Sequence, residues 1–182
     1  MDEGERVMVF IDGSNVFWGC RYYEQDYGIP VSIDYAKLVQ HLVGNRRKVR
    51  AIFFCSKPDP PPQDQENFHG YLRKNGIQVV DKLLKVRTDP KTGKQRWVEK
   101  GVDVALATDL LGMAWEGAYD TAILISGDAD YLGAVQKVMS KGKNVEIVSF
   151  RRQCSKDLQR AAAGVKYLDD FIASISQIAK AP

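Results

Sequence analysis

Short apolar runs recur along the chain, each stopped by a turn-forming residue. Val7-Met8-Val9-Phe10-Ile11 ends at Asp12-Gly13, and Thr121-Ala122-Ile123-Leu124-Ile125 ends at Ser126-Gly127. The same form appears at Val49–Cys55, Ile77–Val80 and Asn144–Val148. Runs of this length, β-branched and without polar alternation, predict strands buried on both faces. Helical spacing fills the intervals. Tyr35, Leu38, Val39, Leu42 and Val43 repeat at three- and four-residue steps, and Gly44 follows as a stop. Segments 64–75 and 130–141 predict helices closed by Gly76 and Gly142. Residues 102–118 are apolar around nearly the whole circumference, which predicts a largely buried helix. Leu168, Phe171, Ile172, Ile175 and Ile178 form a stripe that predicts a C-terminal helix at 168–179. That helix either finishes the chain's own core or forms a homodimer contact, and self-packing is the reading taken.

Strands alternating with helices imply an α/β fold, a three-layer α/β/α sandwich with a mainly parallel central sheet. At 182 residues the chain reads as one domain over 1–182. Its 45% hydrophobic and 27% charged residues exclude a disordered or fibrous chain. Two segments break the pattern. Ser56–Pro62 holds four of the seven prolines and predicts a loop. Asp81–Lys100 is charged and aperiodic around Asp89-Pro90-Lys91-Thr92-Gly93, and predicts an exposed hairpin or excursion.

No apolar stretch approaches the ~18 residues of a membrane span, and the first residues lack the pattern of a secretory signal. Cys20, Cys55 and Cys154 are widely spaced with no CxxC pair, which indicates neither a zinc site nor a disulfide framework. A cytoplasmic protein with no membrane partner is therefore expected.

The candidate chemistry lies in the carboxylates. In open parallel sheets the functional crevice lies beyond the carboxyl ends of the strands, where strand order reverses. Asp12 follows the first strand, Asp128 and Asp130 follow the strand ending at Ile125, and Asp103 opens the apolar helix. Four carboxylates crowded at one sheet edge repel one another unless protons or cations compensate them. Hard divalent cations with oxygen ligands are the usual partners, and they suit phosphate-ester chemistry. Each acid also has a structural reading: Asp128 or Asp130 as a helix cap, Asp103 as a complement to a helix amino terminus, Asn15 as an N-cap. Asp12 is the hardest to explain structurally, because an acid ending a buried strand needs a partner. Asp109 lies six positions beyond Asp103, about 120° around an ideal helix, and is taken as a supporting group rather than a ligand.

Three segments now carry a resemblance. Ile11-Asp12-Gly13-Ser14-Asn15, Lys100-Gly101-Val102-Asp103-Val104 with Ala107-Thr108-Asp109, and Ser126-Gly127-Asp128-Ala129-Asp130-Tyr131 resemble the signatures of the NYN domain family. The likeness is to its bacterial LabA-like (DUF88) branch, related to PIN-domain nucleases, and runs from about residue 5 to 150. It implies a PIN-like, Rossmann-like sheet and a metal-dependent ribonuclease site. Asp12, Asp103, Asp128 and Asp130 would hold Mg²⁺ or Mn²⁺, with Asn15 and Ser126 lining the site. The pattern departs at Gly133, where family members often carry proline, and a looser helix start is expected there.

Charge then adds a substrate arm. Segment 81–100 carries Lys82, Lys85, Arg87, Lys91, Lys94, Arg96 and Lys100 against three carboxylates, a net +4 in a chain of +3. Trp97 lies within it and offers a ring for stacking on a base. RNA is the expected partner, with Lys100 beside the site and the other cations on the arm; a solvated surface loop is the competing reading. Arg46-Arg47-Lys48 and Arg151-Arg152 are smaller basic groups, and Tyr22, Tyr23 and Tyr27 either line a groove or pack. His41 and His69 lie outside the acidic motifs and read as structural. Two other functions compete with the ribonuclease: a non-catalytic RNA-binding or regulatory protein, and a small-molecule phosphohydrolase.

Overall fold

A computed structural model describes residues 4–88, 92–93, 95–98 and 100–178. Six strands form one parallel sheet: β1 (Arg6–Asp12), β3 (Arg47–Lys57), β4 (Ile77–Leu83), β7 (Thr121–Ile125), β8 (Asn144–Ser149) and β9 (Gly164–Tyr167), in the order β4-β3-β1-β7-β8-β9. The chain winds outward from β1 through β3 to β4, then returns to β7 on the other side of β1. The strand order therefore reverses between β1 and β7, where Ile11 pairs with Ile125.

Alternation along β1 divides the core between two layers. Val7, Val9 and Ile11 face α1 (Gly13–Tyr27), α2 (Tyr35–Val43) and α3 (Gln63–Lys74), through Val16, Leu38, Leu42 and Leu72. Met8 and Phe10 face α4 (Val102–Trp115), α5 (Leu132–Ser140) and α6 (Lys156–Ala161), through Leu106, Leu110, Val135 and Leu158. All of β1 from Val7 to Ile11 is at most 1% exposed, which explains its uninterrupted apolar sequence. No helix among the described residues is long and apolar enough to cross a membrane.

Segment 81–100 divides between β4 and a separate antiparallel hairpin of β5 (Lys85–Thr88) and β6 (Gln95–Val98), in which Val86 pairs with Trp97. Two expectations need correction. The segment 168–179, whose last residue lies outside the described residues, is not one helix over 168–178. Leu168–Asp170 is a 3-10 turn, α7 spans only Ile172–Ile175, and Ser176–Ile178 is a strand, β10, pairing antiparallel with β2 (Val31–Ile33). The apolar spacing reflects Leu168 and Ile175 packing into the chain's own core, with Phe171 and Ile172 against it. Asp34 N–H also bonds to the Ile175 carbonyl, ending the helix against the start of α2.

The second correction concerns α4, which is half buried rather than enclosed. Val102, Leu106, Leu110 and Ala114 face the sheet, while Val104 is 69% and Trp115 53% exposed. Urea unfolding distinguishes the two faces. Leu106→Ala is expected to cost about 2–5 kcal/mol, and Val104→Ala to stay within about 0.5 kcal/mol of the parent.

Candidate active site at the carboxyl edge

Asp12 is the last residue of β1 and the N-cap of α1, and it is only 4% exposed. Its carboxylate is held by three donors from separate parts of the chain. Asn15 N–H donates to Oδ1 at 3.0 Å, while the Ser126 hydroxyl (3.0 Å) and the Tyr131 hydroxyl (3.3 Å) reach Oδ2. Tyr131 also lies 3.4 Å from Asp103 Oδ1, so a single phenolic proton sits between the two carboxylates. Burial is the main cause that holds the Asp12 carboxyl above its usual range; the Asp103 charge adds to it and the three donors oppose it. The Tyr131 hydroxyl is pushed far up by its own burial and by the surrounding acids, so it remains a proton donor.

The loop after β7 completes the edge. Gly127 N–H donates to Asn15 Oδ1 at 3.2 Å, and Asp128 N–H to the Ser126 hydroxyl at 3.2 Å. Asp128 then caps a 3-10 turn at Ala129–Tyr131 by accepting from Asp130 N–H at 3.0 Å. The close approach explains two glycines. A Cβ on Gly13 would run into the Phe53 ring, and one on Gly127 into Ser149 Oγ and the Gln153 carbonyl.

The structural readings of the acids are thus partly realised. Asp12 and Asp128 do cap, and Asp103 sits in the first turn of α4. Asn15 is not an N-cap: it lies within α1, and its side chain ties that helix to the β7 loop. Asp103, Asp128 and Asp130 are exposed around the buried Asp12. Asp109, further along α4, makes no hydrogen bond or ion pair to this set, and Lys100 is exposed just before the helix.

Cations are absent from the set. Among the described residues none of Asp12, Asp103, Asp128 and Asp130 forms an ion pair. At the opposite, amino edge, Asp120 binds Arg6 (2.8 Å) and Lys143 (3.2 Å), and those cations hold its carboxyl well below the usual range. No three His, Cys, Asp or Glu side chains among the described residues close into a ready metal cage. The donors are nevertheless all oxygen, and Mg²⁺ commonly takes only one or two carboxylates with waters completing its shell. The Asp12–Asp103 pair, with exposed Asp128 and Asp130 beside it, fits that kind of ion rather than a closed protein cage.

For the basic arm, Lys82 lies on β4 and Lys85 and Arg87 on β5, all exposed. Arg96 and Trp97 lie on β6, and Lys91 and Lys94 fall outside the described residues. Two features escaped the sequence reading. Tyr131 was part of a motif, but its role of joining two acids was missed; a fully buried tyrosine needs a partner for its hydroxyl, and that was the available signal. Phe17 and Trp18, both about half exposed, form with Tyr22 a row of rings on α1, and the Arg152 guanidinium lies 4.6 Å over the Tyr22 ring.

The elevated Asp12 pKa has a measurable consequence. The folded chain binds this proton more tightly than the unfolded chain, whose reference value is 3.8, so ionisation of Asp12 costs stability as pH rises above that value. Asp12→Asn removes the cost. In EDTA, the melting temperature of the variant relative to the parent is expected to climb from about pH 4 to neutrality. A difference that stays level across the range contradicts the buried-charge account.

Comparison with known proteins agrees with this architecture. The chain is 28% identical over 167 residues to the low amplitude and bright protein LabA of Synechococcus elongatus, covering 90% of this chain and 83% of that protein. The crystal structure of VPA0982 from Vibrio parahaemolyticus superposes with a TM-score of 0.75 at 23% identity, covering 97% of this chain and 99% of the other. The NYN domain model matches residues 6–169, from the first residue of β1 to the turn after β9. The chain belongs to the NYN domain family, a PIN-like nuclease family.

Proposed function

We propose that this protein is a Mg²⁺- or Mn²⁺-dependent ribonuclease that hydrolyses RNA phosphodiester bonds at the carboxyl edge between β1 and β7. One observation supports the reading: Asp12 and Asp103 share the Tyr131 hydroxyl at that edge, Asp128 and Asp130 stand exposed on the loop after β7, and among the described residues none of the four has a cationic partner. Asp12, Asp103, Asp128 and Asp130 would hold the ion. When bound, such an ion lowers the pKa of a water and stabilises charge on the phosphoryl group under attack.

The chain's own residues prepare that site. Ser126, Tyr131 and the Asn15 amide fix the Asp12 carboxylate in one orientation. Tyr131 keeps Asp12 and Asp103 together by placing its proton between them. Lys82, Lys85 and Arg87, exposed on the strands leading toward α4, offer charge to the phosphates of a bound strand. A protein that binds RNA without cutting it is the second reading. It is favoured by the open arrangement of the acids, of which only Asp12 and Asp103 share a bridging group.

The test is cleavage of labelled single-stranded RNA, with DNA and p-nitrophenyl phosphate in parallel, in Mn²⁺ or EDTA. RNA cleavage is expected only with the metal, and Asp12→Asn or Asp128→Asn should lower it by at least about 100-fold. RNA binding that weakens with salt, without cleavage, supports the second reading. Preferential hydrolysis of the phosphomonoester assigns the site to small molecules, and undiminished cutting by both variants removes these acids from the chemistry.

A further inference from the structure

On the α1 and α3 side of the sheet, a cavity of about 580 Å³ opens beside the carboxylate edge. That lies within the ~300–1,000 Å³ of small-molecule sites. Gly13 and Ser14, the two residues after Asp12, line it together with Phe17, Ser32, Phe53 and Phe68. Its aromatic wall is ordered: Phe53 packs edge-on against Phe68 with ring centres 5.5 Å apart.

The lining is uncharged in its depth. His69 is 4% exposed, its Nε2 lies 3.4 Å from Cys55 Sγ, and burial pushes its pKa down. Burial likewise raises the Cys20 thiol to about 11. Arg21, at the lining, is paired with Glu24 at 3.3 Å. Hydrogen-bonding groups are nevertheless present. Ser14 and Ser32 line the cavity, and the Gln65 amide donates to the Ser56 carbonyl at 2.9 Å, leaving its Oε1 as an acceptor. A chamber with ring walls and polar edges, in which the Arg21 and Glu24 charges at the lining offset each other, suits a flat, uncharged heteroaromatic group.

The mouth points to the same occupant. Phe17, 53% exposed, lines the cavity and also contacts Trp18 at 5.5 Å between ring centres. Trp18 in turn lies 6.3 Å from Tyr22. The exposed rings of Phe17 and Trp18 thus stand at the opening and next to it, the kind of surface on which unpaired bases stack.

We propose that this cavity takes an unstacked nucleobase of single-stranded RNA, so that the protein reads one base beside the phosphodiester held at Asp12. The proposal rests on the ribonuclease reading, yet it can be tested apart from cleavage.

The experiment titrates the ¹⁵N-labelled full chain in EDTA with AMP, GMP, CMP and UMP, using ribose 5-phosphate as the base-less control, and runs RNA cleavage separately. At least one nucleotide is expected to shift the Ser14, Phe17 and Ser32 amides and the Gln65 side-chain amide saturably. Ribose 5-phosphate should leave them unmoved. Phe17→Ala, whose own spectrum reports whether it folds, should weaken binding about 5- to 100-fold. Gln65→Ala should change the ranking of the four bases. Shifts at these amides without any RNA cleavage support the cavity and overturn the ribonuclease reading. Cleavage without such shifts, or shifts reproduced by ribose 5-phosphate, overturns the cavity and leaves the carboxylate site standing.

Discussion

The Asp12 carboxylate ends a strand that is apolar from Val7 to Ile11, at the point where the sheet changes direction. A buried carboxylate is tolerated only with donors around it, and no single element supplies them. The first turn of α1 gives one, the β7 loop a second, and the turn before α5 a third. Much of the local backbone follows from that need. Gly127 must be small so that the β7 loop can approach β8 and Asn15. Gly13 must be small so that α1 can start directly over Phe53. The pairing of Ile11 with Ile125 brings the two strand ends level.

The two edges of the sheet treat charge in opposite ways. At the amino edge, Asp120 is neutralised by Arg6 and Lys143, and joins the starts of β1 and β8. At the carboxyl edge, Asp12 has only neutral donors, and Asp103, Asp128 and Asp130 stand exposed beside it. A stabilising network would resemble the first edge. The second leaves negative potential unspent, which is the electrostatic condition for holding a cation and, through it, a phosphate. The small net charge of the chain conceals this separation, because the net +4 of segment 81–100 balances the acidic edge.

The parallel sheet was legible because its central strands are buried on both faces, so Val7–Ile11 and Ala122–Ile125 carry no polar residue to blur the signal. The acidic residues were legible because strand ends coincide with Asp12 and Ser126. What escaped depends on contacts between distant segments. Val31–Ile33 and Ser176–Ile178 become strands only by pairing with each other, and neither is long enough to declare itself alone. Gly164–Tyr167 joins the sheet beside β8 with none of its residues fully buried, so it lacks an apolar run. The uniform hydrophobicity of α4 concealed which face meets the sheet, and Val104 and Trp115 turned out to face solvent. Tyr131 reads as an ordinary core aromatic until its hydroxyl is seen between Asp12 and Asp103.

We propose that a divalent cation binds at the acidic edge between β1 and β7. Paramagnetic broadening by Mn²⁺ of the ¹⁵N-labelled chain tests it most directly, because the effect falls off steeply with distance and needs no substrate. Substoichiometric Mn²⁺ is expected to erase the amide signals of Gly13, Asp103, Gly127 and Asp128 first. The same signals should survive in Asp12→Asn. Broadening centred on Asp120 at the amino edge, or spread evenly over the exposed acids of the surface, would contradict it.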